Sequence, residues 1–180
     1  VFRVREIHTV KVFSQIQEHR EEFAAEAGAQ LRVDVTAVDS AQECVRNVDI
    51  VITITSSPTP VLCGEWLKLG AHVNAAGANH WMRRELDDEA FKRASIIVTD
   101  DVQQSKNECA DLMYATEKGI VLWDQVRSLS EIVAGRYQGR TSDEDITIFE
   151  SQGVALVDIA VGLRVYELAK KQGVGQELPF

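Results

Sequence analysis

Asp49-Ile50-Val51-Ile52-Thr53-Ile54-Thr55 is the most apolar strand-like run of the chain, and nothing in the sequence constrains the fold more. Near-continuous β-branched residues, unlike an alternating pattern, mark a strand buried on both faces, the condition of a parallel sheet sandwiched between helices. Similar runs recur at Val10 to Phe13, Leu31 to Val35, Ala71 to Asn74, Ser95 to Thr99 and Ile146 to Phe149. Between them lie helix-prone stretches: Glu18 to Ala27, closed by Gly28, then Ala41 to Arg46, and finally the longest, Gly153 to Lys171. That last segment is apolar on more than one stripe, so it is expected to be heavily packed, against this sheet or against a second chain. The opening VFRVREI reads as the tail of a helix leading into the Val10 strand, as if the chain started one helix late. Gly135 to Asp145, polar and glycine-bearing, reads as a surface loop. The expected class is α/β.

Composition narrows the ligand. With 180 residues, 45% of them hydrophobic, the chain can bury one sizeable core, and neither end carries a long apolar run or a signal-peptide pattern. It reads as a soluble domain. Its 28 acidic against 19 basic residues give a net charge of -9, and no basic stripe with interleaved aromatics offers a footprint for nucleic acid or an anionic membrane. A small molecule is the expected partner. Cys44, Cys63 and Cys109 are isolated and lack the spacing of a zinc site or of a disulfide frame; free thiols of this kind fit the cytoplasm and point to packing roles.

Ligands of an open parallel sheet bind beyond the carboxyl ends of the strands. Ser14 and Gln15 follow one expected strand, Thr53 to Ser57 end another, Asn74 to His80 follow a third, Asp100 to Gln104 a fourth, and Ser151 and Gly153 a fifth. Each has a plain structural alternative. Ser14 could lead into a helix, Thr53 and Thr55 could be ordinary strand residues, Asn79 and His80 solvated loop residues, and Glu108 and Asp111 a charged helix surface or helix-start residues. Their shared rim is what argues for a site. The loop Gly77-Ala78-Asn79-His80, with its minimal side chains, is suited to close approach of a ligand to the backbone. A GxGxxG phosphate fingerprint is absent, since Gly173-Val174-Gly175 follows a helix and lacks the third glycine.

The strings GEWLKLGAHVNAAGA, RELDDE and ITIFESQGVALVDIA, in that order and flanked by DIVITIT and EIVAGRYQGRTS, resemble the ornithine cyclodeaminase/mu-crystallin family along nearly the whole chain. The resemblance implies a Rossmann-like parallel sheet with flanking helices that lacks its first strand and glycine-rich turn. Residues 1–180 would be an incomplete NAD(P)-binding domain, with helix 153–171 packing on a substrate and dimerisation domain outside it, in a protein that is a homodimer when full length. It implies an oxidoreductase acting on an amino acid, an imine or a keto acid, or else an inactive or ligand-binding relative.

Carried over residue by residue, the resemblance places Ser14 and Gln15 at the adenosine ribose and Thr53, Thr55 and Ser56 along the cofactor. Gly77 is also on the cofactor side, Ser151 and Gly153 lie near the nicotinamide, and Asn79 and Glu108 face the substrate. The neutral Ser14–Gln15 pair does not repel a 2′-phosphate, and His19 or Arg20 would help neutralise one, which leans toward NADP over NAD. Asn79 stands where cyclodeaminases carry a catalytic Asp. An amide cannot serve as the general base that a carboxylate can, which disfavours ornithine cyclisation and leaves imine or keto-acid reduction.

Overall fold

The computed structural model describes residues 1–176 and 178–179. Seven strands alternate with helices along the described chain: β1 (Thr9–Val12), α1 (Gln17–Leu31), β2 (Asp34–Ala37), α2 (Ala41–Val45), β3 (Ile50–Thr53), β4 (His72–Ala75), α3 (Asp88–Arg93), β5 (Ala94–Thr99), α4 (Val102–Glu108), α5 (Ala110–Glu117), β6 (Val126–Ser128), α6 (Leu129–Val133), β7 (Ile146–Glu150) and α7 (Ala155–Gln172). Every strand pairing is parallel, as the Val/Ile runs demand. β3-β4-β7-β5-β6 form a five-stranded sheet, and β1-β2 form a second, two-stranded one. The core lies where Val51, Val73, Ala75, Ile97, Ile146 and Ile148 of the larger sheet meet Leu62, Leu67, Leu86, Phe91 and Leu112.

Several local expectations shift. Gly28 does not end the first helix; α1 runs on to Leu31 and stops at Arg32, which takes the left-handed conformation (φ 56°) and donates its N–H to the Gly28 carbonyl at 3.0 Å. The following strand therefore begins three residues later than expected, at Asp34 rather than Leu31. β6 carries no apolar run to announce it, since its three residues read VRS. The opening segment forms a single turn, with the Val1 carbonyl accepting from the Val4 and Arg5 N–H groups.

Burial departs from expectation in two places. β3 is covered on one face only: Val51 and Thr53 are buried, whereas Ile52 is 56% and Ile54 is 76% exposed. Neither β3 nor β1 has a second ladder partner on its open edge among the described residues. The heavily packed helix expected at 153–171 becomes α7, which has no buried residue; Leu156, Leu163 and Val165 stand 76%, 58% and 60% exposed. Of the two alternatives for its apolar surface, closing this sheet is ruled out. No helix among the described residues is long and apolar enough to cross a membrane.

The start of α3 shows how tightly the core is built. The Asp87 carboxylate accepts from the N–H groups of Ala90 and Gly64, both at 2.9 Å, fastening the 3-10 turn Gly64–Trp66 to the helix. A Cβ on Gly64 would collide with the Ala90 nitrogen and the Glu89 carbonyl carbon, backbone atoms that have no freedom to step aside. Gly64→Ala is therefore expected to lower the stability to urea unfolding by about 2 kcal/mol, the typical cost of overpacking, whereas Gly119→Ala, where a Cβ meets open space but φ is positive, acts only through backbone strain.

Candidate functional site

β3 and β4 lie in register with Thr53 opposite Ala75, and their last ladder bond runs from the Ala76 N–H to the Thr53 carbonyl at 2.9 Å. On the other side of β4, the Ser151 N–H donates to the Ala75 carbonyl at 2.8 Å. Thr53, Thr55, Gly77 and Ser151 therefore share one rim, at the carboxyl ends of β3, β4 and β7. Thr55 and Ser56 are exposed there, Thr53 is buried beneath them, and Ser151 is half-buried. Ser14 and Gln15 follow the carboxyl end of β1 in the separate two-stranded sheet.

Beneath the rim sits a side chain that the sequence reading passed over. Glu85 is fully buried. One of its carboxylate oxygens accepts from the Thr53 hydroxyl at 2.8 Å and the Gly77 N–H at 2.7 Å, while the other accepts from the Thr55 N–H at 2.5 Å. This also explains Gly77. Its φ is not positive, but a Cβ there would run into the Thr55 backbone and the Glu85 carboxylate, so the missing side chain makes room for the protein itself. Asp111 in turn accepts from the Glu85 N–H at 3.1 and 3.0 Å and from the Leu86 N–H at 3.3 Å. Of the two plain readings of Asp111, it is the helix-start one that the structure bears out and the charged surface that it overturns: Asp111 is fully buried in the first turn of α5, with the Arg84 guanidinium 3.6 Å away at ion-pair distance.

A second carboxylate organises the far end of the rim. Asp100, just after β5, accepts through one oxygen from the Ser151 hydroxyl at 2.9 Å, the Gln152 N–H at 2.9 Å and the Gly153 N–H at 2.8 Å. Gly153 takes φ 77°, a conformation that favours glycine, and its exposed side faces open space. Gln104 bridges the neighbours, its amide donating to the Gly153 carbonyl and to Glu108, both at 2.8 Å, which brings Glu108 to this end of the rim as an exposed acid. Asn79 is also exposed, in a turn where its amide oxygen accepts from Arg83 at 3.3 Å, with His80 stacked on Trp81 beside it.

At the β1 end, Arg20 is not free. Its guanidinium donates to the Ser14 carbonyl at 3.1 Å and to Asp39 at 2.7 Å, and it lies over the Phe13 ring.

The interior acids differ in their proton affinity. Burial pushes Asp111 up to about 7, against the hydrogen bonds from the Glu85 and Leu86 N–H groups and the Arg84 charge, which pull it down. Burial, with the charges of Asp111 and Glu85, raises Glu150 well above the usual carboxylate range; one Glu150 oxygen is buried without a hydrogen-bond partner and the other accepts from the Cys109 thiol at 3.5 Å. Burial likewise raises the Cys109 thiol, leaving it an inert core residue. Cys44 and Cys63 are partly buried and also raised by burial.

With this geometry in view, comparison with known proteins is decisive. Residues 1–173 match the model of the ornithine cyclodeaminase/mu-crystallin family. The chain belongs to that family. It is 36% identical to an alanine dehydrogenase of Archaeoglobus fulgidus over 99% of this chain and 54% of that protein, and 34% identical to a Delta(1)-pyrroline-2-carboxylate reductase of Bacillus cereus over 100% of this chain and 55% of that protein. The structure of the Thermococcus litoralis Delta(1)-pyrroline-2-carboxylate reductase in complex with NADH and L-proline superposes with a TM-score of 0.94 at 31% identity, covering 98% of this chain and 55% of that one. The chain spans about half the length of these relatives. The α/β class with a parallel sheet and flanking helices, inferred from the Val/Ile runs and the family resemblance, is thereby borne out.

The buried acids of this family member give it a distinctive pH response. Asp111 ordinarily titrates near 3.8 and is held at about 7 when folded. A folded-state value raised in this way contributes stability that is complete below the unfolded value and is lost as pH rises through the folded one. The contribution of Asp111 to stability, measured by urea unfolding, is expected to be lost between about pH 4 and about pH 7. Asp111→Asn, whose amide oxygen can still accept from Glu85 and Leu86, is expected to make that slope shallower; an unchanged slope would remove Asp111 from the account.

Proposed function

We propose that this chain is most of the dinucleotide-binding domain of an NAD(P)-dependent oxidoreductase that reduces a cyclic imine or a keto acid. The observation that carries the reading is the rim itself: parallel β3, β4 and β7 end side by side and present Thr55, Ser56, Gly77, Ser151 and Gly153 at one edge. The exposed hydroxyls of Thr55 and Ser56 and the open side of Gly153 suit the ribose and nicotinamide parts of a dinucleotide. NADH or NADPH, when bound, supplies the hydride. The chain's own residues orient and polarise: Asn79, exposed beside Gly77, both donates to and accepts from a substrate, and Glu108 adds an acid at the Gly153 end. The open edges of β1 and β3 fit a strand placed between them, and the uncovered α7 fits a second domain and a homodimer in the full-length protein. Isolated, the chain would be inactive, which is the alternative reading.

The bound state of Arg20 bears on the choice of dinucleotide. A neutral Ser14–Gln15 pair tolerates a 2′-phosphate, but the guanidinium beside Ser14 is engaged by Asp39 and only the exposed His19 stays available. This moves the balance from NADP toward NAD, in line with the NADH in the Thermococcus litoralis reductase. Asp39→Asn releases the guanidinium, so the ratio of KM for NADPH to KM for NADH is expected to fall by about tenfold, the scale of one charge-assisted contact; an unaltered ratio would separate Arg20 from cofactor choice.

The reaction class has its own test. Full-length protein is expected to oxidise NADH in the presence of a five- or six-membered cyclic imine carboxylate, or of a keto acid with ammonia, and to leave ornithine unconverted. Asn79→Asp restores a carboxylate at the substrate side and is expected to alter the pH profile of turnover. Efficient ornithine cyclisation with Asn79 in place would sink this reading.

A further inference from the structure

We propose that Glu85 is a positioning residue of the dinucleotide site, its buried carboxylate setting the spacing between the Thr53–Ser56 turn and the Gly77–Asn79 loop. The proposal rests on the reading of the rim as a nicotinamide-dinucleotide site. The β3–β4 ladder ends with the Ala76 N–H on the Thr53 carbonyl. Past that point the Thr55 and Gly77 N–H groups would have no strand partner, and an unpaired buried amide is costly. Glu85 takes both, and the Thr53 hydroxyl as well, with two oxygens.

A carboxylate offers only acceptors, so it meets three donors at once; a Gln would turn an NH2 toward at least one backbone N–H that has nowhere to turn. An Asp is shorter by one methylene and cannot span the same distance. Glu85 is itself held from below, because Asp111 accepts from its N–H, so the side chain cannot follow the rim if the loops drift. The residues it ties are the ones next to the ligand-facing groups: Thr55 and Ser56 on one side, and Asn79, two residues beyond Gly77, on the other. Misplacing either loop by a fraction of an ångström weakens binding without touching a reacting atom.

Full-length protein, wild type and Glu85→Gln, is to be compared by NADH calorimetry, by steady-state kinetics with NADH and the imine varied in turn, and by hydrogen exchange at individual amides. Glu85→Gln is expected to raise Kd and KM for NADH by about tenfold, the effect of one orphaned buried donor, with kcat at saturating NADH within about twofold. Exchange at the Thr55 or Gly77 amide is expected to quicken by a similar factor, and Glu85→Asp, too short to span both loops, to raise Kd in the same direction. A variant that loses thermal stability but binds NADH as the wild type does would overturn the proposal, leaving Glu85 a folding residue only. If Glu85→Gln does not accumulate, Thr53→Val, which deletes one of the three donors, must show the same sign in Kd at smaller size, and an unchanged Kd is then the overturning result. Wild-type protein that binds neither NADH nor NADPH sinks the rim reading itself, and is recognised because it fails before any substitution is made.

Discussion

A parallel ladder cannot satisfy its own ends, and the organisation of this site follows from how the ends of β3, β4 and β7 are completed. Backbone N–H groups beyond the last strand pairing must find an acceptor or face water. Here the acceptors are carboxylates. Glu85 collects the Thr55 and Gly77 amides, Asp100 collects those of Gln152 and Gly153, and Asp111 collects those of Glu85 and Leu86. Acids of this kind do what a further strand would do, but they occupy less room at the rim. The loops beyond the sheet are thereby tied without a further strand.

That arrangement places several acids in a small interior, and their environments separate them. Glu85 meets three donors. Glu150 is fully buried, has one oxygen without a hydrogen-bond partner and has Asp111 and Glu85 for neighbours, all of which raise it well above the usual carboxylate range. Asp111 has two backbone donors and a guanidinium set against complete burial, and burial prevails, raising it to about 7. Like charges within one buried cluster cannot all ionise cheaply, and the hydrogen-bond count decides which of them does. The cost of burying such groups is offset where they hold the geometry of the rim.

The strand runs were legible because β-branched residues are costly to misplace; five of the seven strands are found within one or two residues of where the Val/Ile pattern puts them, β2 is displaced by three, and β6, reading VRS, escapes notice. α1 shows the limit of punctuation by glycine: Gly28 is a helix breaker by propensity, yet a single glycine costs only about 1 kcal/mol in a helix and tertiary context overrides it. At the site, Asp100 stands in a stretch marked by its position after a strand and Asp111 is among the candidates, whereas Glu85 does not stand out. Nothing local separates a buried Glu in RELDDE from a solvated one, because the distinction is made by Thr53, Thr55 and Gly77, which lie far away in sequence or in another strand. Gly77 was noticed for the right atom and the wrong neighbour: its absent side chain admits Glu85, not only a ligand.

The uncovered surfaces are consistent with the proposed place of this chain in a larger protein. Ile52 and Ile54 stand exposed on one face of β3, and α7 displays Leu156, Ile159, Leu163 and Val165, all more than half exposed. Isolated apolar residues at a surface need no explanation, but contiguous ones mark a contact. The two groups call for different partners. At β3 the exposed isoleucines adjoin a strand edge with unmade hydrogen bonds, a surface completed by backbone as well as by side chains. At α7 the backbone is already satisfied along the helix, so only side-chain packing is missing there. The loops of the rim are tied by Glu85 and Asp100 from within this chain, which is why their geometry does not wait on the covering of the apolar surfaces.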